Sequence, residues 1–369
     1  MSRGATPEGT RTYVEKFRAH AAEGHYREAQ GLMLSSVGIG TYLGPPNEST
    51  DAGYAAALVA AVESGVNVID TAINYRLQRS ERSVGTALKV LAYKGFTRDE
   101  IVVCTKAGYL TPDGAMPSDP NRYFFEEYIQ KGVFAAKDVT AGCHCMAPSY
   151  LQNQLARSVK NLGVECIDVY YLHNPETQLT EISKPDFLKR VKEAFVFLES
   201  AAARGQIQFY GMSTWNGFRQ AQSARDAMQL SELAAIAKEI AGDRHRFRFV
   251  QLPFNLAMTE ALTLGNQNVG GSEKTIMEAA SELDITLVAS ASLLQGQVAQ
   301  NLPAFVAEAF GLDNDAERAL QFARSAPGIT TALVGMSRTT HVEANAKLVT
   351  VPPASLEQFS KLFSRGESA

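Results

Sequence analysis

The chain has 369 residues, 45% hydrophobic and 20% charged, an ordinary globular composition. A net charge of −4 gives no electrostatic reason to expect nucleic acid or an acidic membrane surface as a partner. No run approaches the roughly 20 apolar residues of a membrane span, and residues 1–30 are polar throughout, with no apolar core for a signal peptide.

Residues 1–30 form an N-terminal extension expected to wrap the outside or the base of the domain that follows. From there, short apolar runs alternate with longer amphipathic stretches. The segments 33–40, 66–70, 101–106, 167–172, 207–213, 249–254, 285–290 and 331–335 read as strands, and their near-continuous apolar character suits parallel strands covered on both faces. Between them, Val84, Leu88 and Leu91 mark one face of a helix over 80–94, with Ser80 as its expected N-cap. Leu188, Val191, Phe195 and Leu198 mark another over 184–204. Eight strands with helices between them make a (β/α)8 TIM barrel over residues 31–350, followed by a C-terminal tail, 351–369. A doubly wound sheet is the main rival, but no G-x-G-x-x-G follows an early strand.

Residues 107–148 interrupt the alternation. They separate the third strand from its helix by far more than a usual βα loop, and insertions on that rim of a barrel are commonly functional. The aromatics of "NRYFFEEYIQ" suggest a lid over the substrate. Cys143, His144 and Cys145 within it are too close together to close a tetrahedral metal site, so no metal is expected. Of the four cysteines, Cys104 and Cys166 lie at predicted strands, which does not look like a disulfide framework; a reduced, cytoplasmic protein is expected.

The polar residues that close the strands carry the chemistry. Asp70 ends the second strand, Lys106 the third, His173 follows the fourth, Ser213 ends the fifth and Gln251 lies in the sixth. In a parallel barrel these face one rim, where active sites of this architecture sit. Adjacent strands lie about 4.8 Å apart, so Lys106 can reach Asp70. Tyr75, five residues past Asp70, would meet the ammonium group there; the cation should lower the phenol's pKa and let it exchange a proton near neutrality. His173 would offer an N–H to a substrate oxygen. Singly, each residue has a blander reading: a helix cap, a satisfied imidazole, a surface lysine. Four of them on successive strand ends make a proton-transfer site for a carbonyl or alcohol.

The stretches "GVNVIDTAINYRLQRSERSVGTALK" (65–89), "VVCTKAG" (102–108), "LARSVKNLGVECIDVYYLHNP" (155–175), "GQIQFYGMSTW" (205–215) and "GMSRTTHVEAN" (335–345) resemble the aldo-keto reductase family. The resemblance implies a (β/α)8 barrel that transfers hydride between NAD(P)H and a carbonyl without a metal. It puts the catalytic tetrad on Asp70, Tyr75, Lys106 and His173, with Tyr75 as proton donor in reduction. It puts Ser213 and Gln251 at the nicotinamide carboxamide, Thr214 where the family has Asn, and Ser290 where it has the aromatic that stacks on the nicotinamide; Trp215 or Asn216 would compensate. Gly40, Thr41 and Leu293 join the cofactor set. In the segment opening the last helix, Ser337 and Arg338 would hold a 2′-phosphate. Glu343 and Asn345 fall at the adenine end, and Gly335 and His341 replace a Lys and an Arg used by one branch of the family. The implied cofactor is NADP, with NAD as the alternative. Tyr42 and Trp215 are expected in the substrate pocket, and the substrate is a small carbonyl or alcohol. Two rivals are a nucleotide-binding barrel serving as sensor or scaffold, and a metal-dependent hydrolase, for which only His173 among six histidines is well placed.

Overall fold

The computed structural model describes residues 3–363. Its centre is a closed barrel of eight parallel strands: β1 (Val37–Gly40), β2 (Val68–Asp70), β3 (Val102–Ala107), β4 (Ile167–His173), β5 (Ile207–Ser213), β6 (Phe247–Pro253), β7 (Thr286–Ser290) and β8 (Ile329–Gly335). Neighbours in sequence are neighbours in the sheet, and β8 pairs with β1 to close the ring. The fold is therefore the expected (β/α)8 barrel. Strand runs are apolar because both faces are covered: one packs on the helices, the other fills the barrel. Helix Lys184–Ala203 shows the outer packing, with Val191, Phe195 and Leu198 buried and Leu188 partly so.

Three local expectations are corrected. The run 33–40 is not one strand. Leu32–Ser35 pairs antiparallel with Tyr26–Ala29 in a hairpin, and the barrel strand begins only at Val37. Ala29, Leu32 and Leu34 of that hairpin pack with Ala5 against Val68, Val102 and other inward side chains, plugging the end where the strands start. The N-terminal segment thus closes the base. Its helix Pro7–Phe17 is fixed by Thr6, whose hydroxyl caps Gly9 N–H at 2.9 Å, and by a proline in the first turn.

The second correction concerns Ser80. The helix runs Arg79–Tyr93, and its N-cap position is held by Gln78 in a left-handed conformation without a side-chain cap. The Ser80 hydroxyl instead donates to the Thr41 carbonyl at 2.7 Å, tying the rim loop after β1 to this helix.

The third concerns the insertion. Residues 107–148 carry a short helix, Pro120–Phe124, an i→i+5 turn after it, and a small hairpin, Val139–Thr140 with His144–Cys145. Tyr128, Phe134, Cys145 and Tyr150 give it a core of its own. It packs on the rim; of this stretch Tyr109 lines the central cavity, and the aromatics of 121–130 lie outside its lining. Residues 364–369 of the C-terminal tail lie outside the described residues.

Candidate active site

The strand ends deliver their side chains to one cavity of about 850 Å³ at the C-terminal rim. Asp70 is its buried anchor. Lys106 Nζ donates to Asp70 Oδ2 at 2.5 Å, and Gln251 Nε2 donates to Asp70 Oδ1 at 2.8 Å. Ser213 Oγ in turn donates to Gln251 Oε1 at 2.9 Å. One carboxylate therefore links β2 to β3 and, across the barrel, to β6 and β5. Burying a charge costs several kcal/mol unless it is paired and hydrogen-bonded, and here both oxygens are engaged.

Lys106 is fully buried, behind the cavity wall. Its ammonium also donates to the Thr71 carbonyl at 2.9 Å and reaches the Tyr75 hydroxyl at 3.3 Å. Burial opposes the lysine's charge, but Asp70 and the phenol outweigh it, and its pKa is raised. For Tyr75 the balance differs from the sequence-based expectation. Burial pushes the phenol up, Lys106 pulls it back only in part, and the net shift is upward. The ring meets Tyr42 and His173 edge-on at 5.0 and 5.6 Å between centroids, and low-dielectric neighbours disfavour the phenolate. At neutral pH Tyr75 is a protonated donor beside a cation that can stabilise the phenolate left when its proton departs.

Tyr75 owes its position to an unusual turn. Arg76, Leu77 and Gln78 all have positive φ, of 50°, 59° and 71°, which costs non-glycine residues roughly 1–2 kcal/mol each. Arg76 holds the turn from outside by pairing with Asp51 and donating to the Pro45 carbonyl at 3.1 Å. Gln78 donates to the Pro112 carbonyl at 3.1 Å.

His173 is neutral: burial first, then Lys106 and His144, hold its pKa well below the usual imidazole range. Its Nδ1 lies 3.1 Å from Asn74 Oδ1. In that arrangement the single ring proton sits on Nδ1 and Nε2 is an acceptor; turning the Asn74 amide over would exchange the two roles. The expected N–H toward substrate thus depends on Asn74, a residue that sequence reasoning did not assign. His144 was missed as well. Its Nε2–H donates to the His173 carbonyl at 2.7 Å and its Nδ1 accepts from Gln178 at 2.8 Å, so the hairpin of the insertion braces the end of β4. Gly108, at φ 148°, makes room for the ring, since a Cβ there would lie 2.6 Å from His144 Nε2.

Of the expected cofactor positions, Gly40, Thr41, Ser213, Thr214, Gln251, Ser290, Leu293, Gly335, His341 and Asn345 line the same cavity, as do Tyr42 and Trp215. Ser337, Arg338 and Glu343 do not; Arg338 is exposed, at the N-terminal end of the short helix Thr339–Asn345. Asn74, Tyr109, Asn174 and Ser292 line the cavity without having been singled out from the sequence. The buried hydroxyls of Thr214 and Ser292 on the lining have no hydrogen-bond partner among the described residues, which fits a cavity built to receive a polar nucleotide.

The model of the Aldo/keto reductase family matches residues 36–364, and the chain belongs to that family. It is 26% identical over 210 residues to an NADH-specific methylglyoxal reductase of Escherichia coli (strain K12), an alignment covering 56% of this chain and 55% of that protein. It is 27% identical over 179 residues to a D-threo-aldose 1-dehydrogenase of a Pseudomonas species, covering 47% of each. The chain thus spans about half the length of these relatives. Its fold is similar to an aldo-keto reductase of Bacillus halodurans in holo form, with a TM-score of 0.62 at 19% identity, covering 92% of this chain and 95% of that one. It is equally similar to an aldo/keto reductase of Klebsiella pneumoniae in complex with NADP and acetate, with a TM-score of 0.62 at 18% identity over 93% and 95% of the chains.

Proposed function

We propose that this protein is an NAD(P)H-dependent oxidoreductase that reduces a small aldehyde or ketone, or oxidises the matching alcohol or sugar. The observation that carries the reading is the Lys106 ammonium, held at 2.5 Å by Asp70 and 3.3 Å from the Tyr75 hydroxyl, at the wall of a cavity large enough for a nucleotide and a small substrate. The cofactor, when bound, supplies or accepts the hydride. Tyr75 gives its proton to the carbonyl oxygen as negative charge develops there, and Lys106 stabilises the resulting phenolate. Asp70 keeps the lysine charged and oriented. His173, set by Asn74, fixes the angle of the substrate oxygen. In the oxidative direction the same groups run in reverse.

Ser213, Thr214 and Gln251 would hold the carboxamide end of the cofactor, with Gly40, Thr41, Ser290 and Leu293 along its length. Gly335, His341, Glu343 and Asn345 would hold the adenine end, and Ser337 and Arg338 a 2′-phosphate. One relative is named for NADH and one similar structure holds NADP, so both cofactors belong in the test. Trp215 and Tyr42, 42% and 54% exposed, form the mouth where substrate enters. The four cysteines are free, three of them buried, which supports a reducing, cytoplasmic setting; no described helix is long and apolar enough to cross a membrane.

The test is cofactor oxidation with NADH and NADPH against methylglyoxal, simple aldehydes and ketones, and cofactor reduction with aldoses and alcohols. Turnover with some member of the panel is expected. Tight cofactor binding without turnover in either direction would favour a sensor or scaffold.

A further inference from the structure

Just beyond His173 the chain makes a second arrangement that the chemistry above does not use. Asn174, at φ 45°, donates its N–H to the Ser213 carbonyl at 2.6 Å, and Pro175 opens a short turn, Pro175–Thr180. The turn carries Glu176 inward, where it is 5% exposed. Its Oε1 accepts three successive backbone N–H groups of the loop after β5: Trp215 at 2.6 Å, Asn216 at 3.0 Å and Gly217 at 3.4 Å. Consecutive N–H groups converging on one point form a nest for an anion, and here the protein fills it with its own carboxylate.

What the nest holds is a wall of the cavity. Ser213, Thr214 and Trp215 are consecutive lining residues, and Trp215 stands 42% exposed at the mouth. The far end of the loop is tied too, since Arg219 donates to the Trp215 carbonyl at 3.2 Å and pairs with Glu260 at 2.8 Å. No Lys or Arg forms an ion pair with Glu176 among the described residues; burial pushes its carboxyl up, and the backbone N–H groups of Trp215, Asn216 and Gly217 pull it back only in part, while Oε2 has no partner among the described residues. Holding a simple turn does not require a buried carboxylate, which is costly unless its partners are well placed. Fixing an aromatic side chain at the entrance of a substrate cavity does call for strong, directional anchoring.

We propose that Glu176 is a positioning residue that sets the place of Trp215 in the substrate wall and thereby the affinity for the carbonyl substrate. The effect on substrate rests on the reading of this cavity as an active site; the effect on the loop does not. Trp215 is the sole tryptophan of the chain, so tryptophan emission, excited beyond the tyrosine band, reports on this loop alone. In the unliganded protein, Glu176→Ala should shift the emission to the red and increase quenching by acrylamide. Glu176→Gln, which keeps an acceptor oxygen, should stay near wild type. In turnover, Glu176→Ala should raise KM for the carbonyl roughly tenfold with a smaller change in kcat, and Glu176→Gln should restore most of the loss.

Unchanged emission and quenching in a folded Glu176→Ala would overturn the proposal. A fluorescence change with unaltered KM would overturn it as well, since substrate would then not feel the loop. If Glu176→Ala does not fold, Glu176→Asp, which withdraws the oxygen by one methylene, carries the same readings. A wild-type protein without turnover would refute the functional reading, and fluorescence would still decide whether Glu176 holds the loop.

Discussion

The two ends of the cavity are built in opposite ways. At the β2–β6 rim the polar side chains are buried and bonded to one another, so that Ser213, Gln251, Asp70, Lys106 and Tyr75 form one connected set. At the β8 end most of the groups expected to meet the cofactor are exposed or only partly buried: Ser337, Arg338, His341 and Glu343 sit on or before a short surface helix, and Asn345 at its end is buried. A buried, connected set works through low dielectric and fixed geometry, and losing one member disturbs all the others. An exposed set works through individual contacts screened by water and salt. The chemistry should therefore be intolerant of change, and cofactor choice easily altered.

The sharpest way to break that contrast is Tyr75→Phe. It should lower kcat by at least ~10²-fold, while cofactor affinity, followed by fluorescence, stays within a few-fold. Lys106→Met should cost less in rate, about one to two orders of magnitude, but more in stability. It leaves Asp70 buried without its cation, a loss typically of ~3–5 kcal/mol, measurable by urea unfolding. Asp70→Asn strands the ammonium instead. Burial then acts on Lys106 with less opposition, so its pKa should fall and the rate should drop first at alkaline pH.

A fourth expectation concerns acid stability. Burial, partly offset by a backbone carbonyl, lowers His25 and His144 to about 4, against an ordinary 6.5. His173 is lowered too. Between those values the unfolded chain binds protons that the folded one does not, so stability should fall as pH drops from about 6.5 toward 4, by on the order of 2–3 kcal/mol for each of His25 and His144. His144→Gln should flatten the urea midpoint against pH over that window; an unaltered slope would mean that His144 titrates normally in the folded state.

The smallest effect is expected at the exposed end. Arg338→Ala should weaken NADPH about tenfold at low salt and less at high salt, leaving NADH unaffected. Equal losses for both cofactors would mean that Arg338 supports the helix and reads no phosphate.

The same contrast explains what the sequence made legible. The alternation of apolar runs and helical faces gave the barrel, and polar residues on the second to sixth strands pointed to the rim. The pairing of Asp70 with Lys106 followed from strand adjacency alone. Quantities that depend on burial did not follow. The direction of the Tyr75 shift was misjudged because spacing shows the neighbouring cation but not the desolvation that outweighs it. The segment 33–40 reads as one strand because only Ser35 and Ser36 part the apolar residues 32–34 from Val37–Gly40, and composition does not tell a barrel strand from the plug beneath it. Asn74, His144 and Glu176 were missed because they act through partners distant in sequence. The adenine end was visible only through the family resemblance, since exposed residues on a short helix carry no pattern of their own.

The most direct test of the account is a parallel titration of wild type, Tyr75→Phe and Arg338→Ala, reading NADPH affinity by fluorescence and kcat at saturating cofactor on one carbonyl substrate. A crossed result is expected: Tyr75→Phe binds NADPH like wild type but turns over at least ~10²-fold more slowly, and Arg338→Ala binds about tenfold more weakly but keeps its kcat. If Tyr75→Phe retained most of its turnover, Tyr75 would not be the proton donor and the central claim would fail.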